Sequence, residues 1–99
     1  MNSKELKELI NQYCDDCQGC KFELVENKLS NRADLHAFLL MDRILPGDSN
    51  IILSARHKEV YFSFKMDEFA AVVTQEEVLE LVRCGVCYDG HFDCLYMCT

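Results

Sequence analysis

Seven cysteines in 99 residues are the most reactive groups this chain offers, so their spacing is the first chemical question. Three form the run Cys14-x2-Cys17-x2-Cys20, and the others lie near the end at Cys84, Cys87, Cys94 and Cys98. Two C-x2-C pairs far apart in sequence can supply the four thiolates of a structural zinc site. Cys17 and Cys20 with Cys84 and Cys87 are the set this spacing offers. Each pair spans a glycine, Gly19 or Gly85, which eases a backbone around an ion. The competing reading makes these thiols small apolar core residues, because Cys14 and Cys17 continue a helical apolar stripe. Iron–sulfur ligation lacks the fourth cysteine and the proline expected shortly after Cys20. Redox chemistry needs an attacking thiol at a helix N-terminus, and both pairs fall at predicted helix C-termini. A disulfide framework is disfavoured by the odd count and by a charged N-terminus, Ser3-Lys4-Glu5, with no export signal.

Cysteine–histidine catalysis would need His36, His57 or His91 beside an exposed thiol. His36 falls on the more polar side of its helix, His57 in a turn and His91 just after one, so all three read as surface residues. No metal-binding His/Glu helix motif, glycine-rich phosphate loop or nucleophile elbow is present. The expectation is a protein that is not an enzyme. Arg56, Lys58 and Lys65 flank one hairpin and could hold a small anionic ligand. The same pattern also serves as a solvated edge that discourages strand pairing.

Charge sets the class of partner. Of the net −7, residues 1–66 carry ten acids and nine Lys/Arg, a net of −1, whereas residues 67–99 carry seven acids against Arg83, a net of −6. Such a surface repels phosphate, which disfavours direct nucleic-acid binding, and it suits a basic partner surface. Glu76, Glu77 and Glu80 on one helix, with Tyr88, Asp89 and Asp93 on a following hairpin, are the candidate partner-binding residues. His91, Phe92 and Tyr96 add aromatic area of the kind enriched at protein interfaces. Alternatively, Phe92 and Tyr96 fill the core and leave only the carboxylates outside.

The elements that must position these groups are readable in part. A first helix capped by Ser3 carries Leu6, Leu9, Ile10, Tyr13, Cys14 and Cys17 on one face and stops near Gly19. Lys21 to Val25 reads as a short strand. A helix over about Arg32 to Ile44, capped by Ser30 or Asn31, presents Leu35, Phe38, Leu39 and Asp42 on one side, with Leu40, Met41 and Ile44 widening the stripe. After the Pro46–Asn50 loop, Ile51–Arg56 and Val60–Lys65 read as strands about a turn at His57-Lys58, and Met66–Val73 as one helical turn. Thr74 and Glu77 form a capping box that opens a helix closed by Gly85. Asp89-Gly90 reads as a type I′ hairpin turn. Phe92, Cys94, Tyr96 and Cys98 then share one face of a strand, opposite Asp93, Leu95 and Met97. Apolar groups on both faces place that strand inside the sheet or against a partner.

Arg83-Cys84-Gly85-Val86, Tyr88-Asp89 and Asp93-Cys94-Leu95 with Met97 resemble the tail of uncharacterised small acidic proteins of phages and prophages, over the C-terminal quarter of the chain. The resemblance implies an accessory protein of a mobile element and brings no assigned activity or site. The expectation is a single α+β domain over residues 1–99, with helices on one face of a mostly antiparallel sheet of about four strands. It would be cytoplasmic, outside membranes and compatible with a homodimer. It would act as an inhibitor of a bacterial nucleic-acid-handling or defence enzyme, its carboxylates standing in for phosphates. The alternatives are a zinc-stabilised structural module and a protein that sequesters a small anionic signal.

Overall fold

The computed structural model of the chain describes residues 1–16 and 21–98. Its first helix, α1, spans Ser3–Asp15, and the cap is Asn2 rather than Ser3. Asn2 Oδ1 accepts from the Glu5 amide at 2.8 Å, and the Glu5 carboxylate accepts from the Asn2 amide at 3.1 Å. This reciprocal box satisfies donors that the first turn leaves without helical partners. Leu6 and Ile10 are buried, with Leu9, Tyr13 and Cys14 packed beside them, as the periodicity predicts. Gly19 and Cys17, predicted to end this helix, lie outside the described residues.

Lys21–Val25 is not a strand. Phe22–Leu24 forms a single 3-10 turn, closed by the Val25 amide bonding to the Phe22 carbonyl at 3.0 Å. The second helix, α2, spans Ala33–Ile44, and Arg32 stands at its cap position without a side-chain capping bond. Its buried stripe is His36, Ala37, Leu40, Met41 and Ile44, while Leu35 and Leu39 face outward. The helix therefore turns the opposite way from the sequence expectation about Leu35 and Leu39. Both of its faces are apolar, and the deeper one wins by packing on Phe62 and the other helices.

Strand β1, Ile52–Arg56, and strand β2, Glu59–Phe62, meet at His57 and Lys58, whose φ values are 53° and 67°. Both central residues are left-handed, the geometry of a type I′ turn, without the usual Asn or Gly. Met66–Val72 forms α3 and Gln75–Arg83 forms α4. Thr74 Oγ1 accepts from the Glu77 amide at 3.2 Å, and Glu77 Oε1 accepts from the Thr74 amide at 2.9 Å, so the predicted box is present. Gly85, at φ 101°, ends the helix in a conformation that disfavours any residue with a Cβ. Strands β3, Val86–Asp89, and β4, Cys94–Cys98, complete the chain.

The hairpin between them differs from the predicted two-residue turn. Asp89 pairs with Cys94, leaving residues 90–93 as the loop. Asp89 carboxylate oxygens accept from the His91 amide at 3.3 Å and the Phe92 amide at 3.2 Å, and Asp93 takes the left-handed conformation at φ 52°. A side chain capping the loop's own amides has displaced the type I′ geometry.

All pairings in the four-stranded sheet are antiparallel, in the order β1-β2-β4-β3, so β4 is interior as expected. Val60, Phe62, Val86, Leu95 and Met97 face the helices and share one core with Leu6, Ile10, Met41, Phe69, Val78 and Leu81. The chain is a single α+β domain. No described helix is long and apolar enough to cross a membrane.

Candidate functional site

The three glutamates of α4 begin within one turn of each other and end in different environments. Glu76 is exposed at the helix start, where a carboxylate also suits the positive end of the dipole. Glu77 is held by the capping box. Glu80 Oε2 lies 2.7 Å from His36 Nε2, which puts the carboxylate against a side chain with no exposed surface. On the other side of that ring the Leu29 amide donates to Nδ1 at 3.0 Å. Nδ1 therefore offers a lone pair, and the proton sits on Nε2 and points at Glu80. His36 was expected on the surface; it is instead a fully buried tie between α2, α4 and the segment before α2. With both nitrogens engaged and no path to solvent, the ring has no face to offer a substrate.

The hairpin residues form a second cluster. The Tyr88 hydroxyl donates to Asp93 Oδ1 at 2.6 Å, and Lys7 Nζ reaches the same oxygen at 2.9 Å. The Tyr88 hydrogen bond, then Lys7, holds the Asp93 carboxyl below the ordinary carboxylate value. The bond to Asp93 is also the largest influence raising both Tyr88 and Lys7. Lys7 Nζ lies 5.4 Å from the Tyr88 ring centroid, so one lysine fastens α1 to the hairpin by charge and by ring contact. Asp89 is occupied by its loop amides. Of the acids predicted to form one surface, Glu77, Glu80, Asp89 and Asp93 each hold part of the fold.

Three exposed acids from two helices gather at one seam, Glu5 while also holding its own capping box. Glu5 and Glu8 of α1 line a shallow groove with Gln12 and Gln75. Glu76 lines the adjoining groove with Tyr13, Gln75 and Leu79. Gln75 is common to both and donates from Nε2 to the Tyr13 hydroxyl at 3.1 Å, fixing the seam between α1 and α4. Charge counting missed this grouping because it placed the acidic surface within residues 67–99. The packing of α1 on α4, signalled by the complementary apolar stripes of the two helices, was the clue to it.

The cysteines separate by environment. Cys84 belongs to the core, and burial, with a smaller push from the Glu80 charge, raises its thiol to about 12. Cys94 is also buried and raised, by desolvation first and then by Asp89 and Asp93. Cys87 instead faces Cys14 of α1, with Sγ–Sγ 3.8 Å. Cys84 thus belongs to the core and Cys87 to the contact with α1, and Cys17 and Cys20 of the expected ligand set lie outside the described residues. Among the described residues, no three His, Cys, Asp or Glu side chains converge on a point that could hold an ion.

The basic residues of the first hairpin are also dispersed. Arg56 and Lys58 are at the β1–β2 turn, whereas Lys65 follows the far end of β2. Arg56 lies over the Phe92 ring at 5.7 Å. Phe92 in turn meets Tyr61 edge-on at 5.4 Å, and Tyr61 stacks on Tyr96 at 5.8 Å. The expected aromatic residues therefore cover the sheet face away from the helices. His91 touches Phe92 at 4.7 Å, and His57 occupies the turn.

No protein-family model, curated protein or solved structure matches the chain.

Proposed function

We propose that this is a non-enzymatic protein that binds a basic surface of another protein through the seam between α1 and α4. The observation that carries the reading is the joining of Glu5, Glu8 and Glu76 around Gln75, with Tyr13 and Leu79 supplying apolar area beside the charge. Exposed carboxylates raise the encounter rate with a cationic partner, and the aromatic and aliphatic groups between them give the contact its short-range energy. In its most concrete form the target is a bacterial nucleic-acid-handling or defence enzyme. The seam would then occupy the basic tract that normally meets phosphate.

A pull-down from bacterial lysate at low and high salt identifies the partner, and titration of that partner then measures the interaction. A Glu8→Lys/Glu76→Lys double variant is expected to weaken binding by 10-fold or more on an order-of-magnitude scale and to flatten its salt dependence. Neither residue is buried or holds a capping bond, so folding is expected to be preserved. Unchanged affinity and unchanged salt response in this variant would overturn the reading. Charge reversal at Glu77 or Glu80 is a poorer test, because those carboxylates hold the capping box and His36.

A further inference from the structure

The sheet ends on one side in a strand that no other described element covers. All five residues of β1, Ile52–Arg56, are exposed, and among the described strands β1 pairs with β2 alone. The strand at the opposite edge, β3, has buried and half-buried residues and packs on α1. Leu53 is 63% exposed, the most of any large apolar side chain described. Apolar shoulders flank it: Phe38 lines a groove with Ile51 and Ile52, and Phe92 shares a hollow with Leu53. Leu35 and Leu39, the α2 leucines that the fold leaves outward, continue the Phe38 side of that helix. An open strand edge of this kind is a template for another strand.

Charge indicates which strand that is. Ser49–Lys58 is the longest stretch without a carboxylate in a chain of net charge −7. Two copies repel each other over most of their surface, and along this edge they do not. Asp48 precedes the run while Arg56 and Lys58 close it, and all three are exposed. Antiparallel pairing of the strand with its own copy exchanges these ends. With the two-fold axis at Ile52, Asp48 of one copy lies across from Arg56 of the other; with the axis at Leu53, it lies across from Lys58. Basic residues blunt an edge when they line it, but here they stand at one end and have acids to meet. The register shift between Ile52 and Ser54 makes Leu53 a bulge, which restricts the ladder to a few residues on either side.

We propose that β1 pairs antiparallel with β1 of a second copy of this chain, so that two four-stranded sheets join into one across a homodimer. The two-fold axis of an antiparallel ladder is normal to the sheet. The helices of both copies therefore lie on the same side, and the outward leucines of the two α2 helices approach each other across the axis. Backbone hydrogen bonds make the join, and Ile52, Leu53, Leu35 and Leu39 add apolar burial to it. Because each copy contributes the same patch, the contact closes at two and does not propagate into a fibre. The α1–α4 seam shares no residue with this edge, so the two readings stand or fall separately.

Sedimentation equilibrium of the full chain from about 1 μM to about 1 mM should show a monomer–dimer equilibrium without larger species. Leu39→Lys and Leu53→Lys should each raise the dissociation constant roughly tenfold or more. Both side chains are exposed, so the unfolding midpoint of dilute, monomeric protein should stay unchanged. Asp48→Lys should weaken the dimer roughly tenfold, as should Arg56→Glu with Lys58→Glu, and the three changes together should restore it. Pairing with a second copy predicts that recovery, whereas a different partner strand does not. Hydrogen exchange at β1 amides should slow as the protein is concentrated. A wild type that stays monomeric at the highest concentration would overturn the proposal and leave the edge to a strand of another protein. A dimer indifferent to both leucine changes, or a triple charge variant no tighter than its parents, would overturn it as well.

Discussion

His36 carries more of the fold than any other polar side chain described. Its Nδ1 satisfies the Leu29 amide and its Nε2 meets Glu80, so replacing it leaves two polar groups with lost partners. His36→Leu is expected to destabilise the protein by about 2–4 kcal/mol in denaturant unfolding. Glu80→Gln keeps an acceptor for Nε2 and should cost only about 1 kcal/mol. A larger loss for Glu80→Gln than for His36→Leu would contradict this account of the pair. The sequence could not assign His36 because α2 has two apolar stripes, and periodicity alone does not say which one turns inward. Asp93 belongs to the same scale. Its folded carboxyl is held below the ordinary 3.8, so the stability it contributes is present above that value and is lost as pH falls through the lowered one. Lys7 and Tyr88 are raised above 10.5 and 10.0, so their share is lost only as pH rises through those raised values. Thermal unfolding followed across acid pH should therefore show a shallower decline in Asp93→Asn than in the wild type.

At the scale of elements, the β1–β2 turn carries the clearest local cost. His57 and Lys58 both adopt left-handed backbone, which side chains with a Cβ disfavour. Lys58→Gly should stabilise the protein by about 0.5–1 kcal/mol, read as a higher denaturant midpoint with an unchanged slope. Sequence located this turn without indicating its type, because neither residue is one of the usual left-handed formers. It was more informative at α4, where Thr74, Glu77 and Gly85 each act within a few residues of themselves and needed no tertiary partner to be read. Asp89-Gly90 shows the limit of that approach: the Asp89 carboxylate could cap amides or leave the turn to glycine, and only the folded loop shows which. The candidate acidic surface was obscured for a related reason. Net charge and the capping box that engages Glu77 were visible, but the imidazole and Lys7 that engage Glu80 and Asp93 were not.

For the molecule as a whole, the position of β4 between β2 and β3 makes the C-terminal hairpin indispensable. A chain ending after Gly85 loses the interior strand, with Leu95 and Met97 from the core, and its far-UV circular dichroism should be that of an unfolded protein. Retention of a cooperative unfolding transition would mean the sheet can close without β4. The partners of α1 also impose an order of events. This helix precedes the other described elements in the chain, yet it packs on α3, α4 and β3, which lie roughly fifty residues or more further on. At about 5–20 residues per second, a ribosome reaches the end of β3 roughly 4–15 s after finishing α1. Until α3, α4 and β3 have all emerged, Leu6 and Ile10 lack part of their packing and must be shielded by chaperones or by transient collapse. A docked α1 is thus a record that translation has passed through β3, and a stalled chain displays the apolar stripe of α1, Leu6 and Ile10, to the machinery that destroys incomplete proteins.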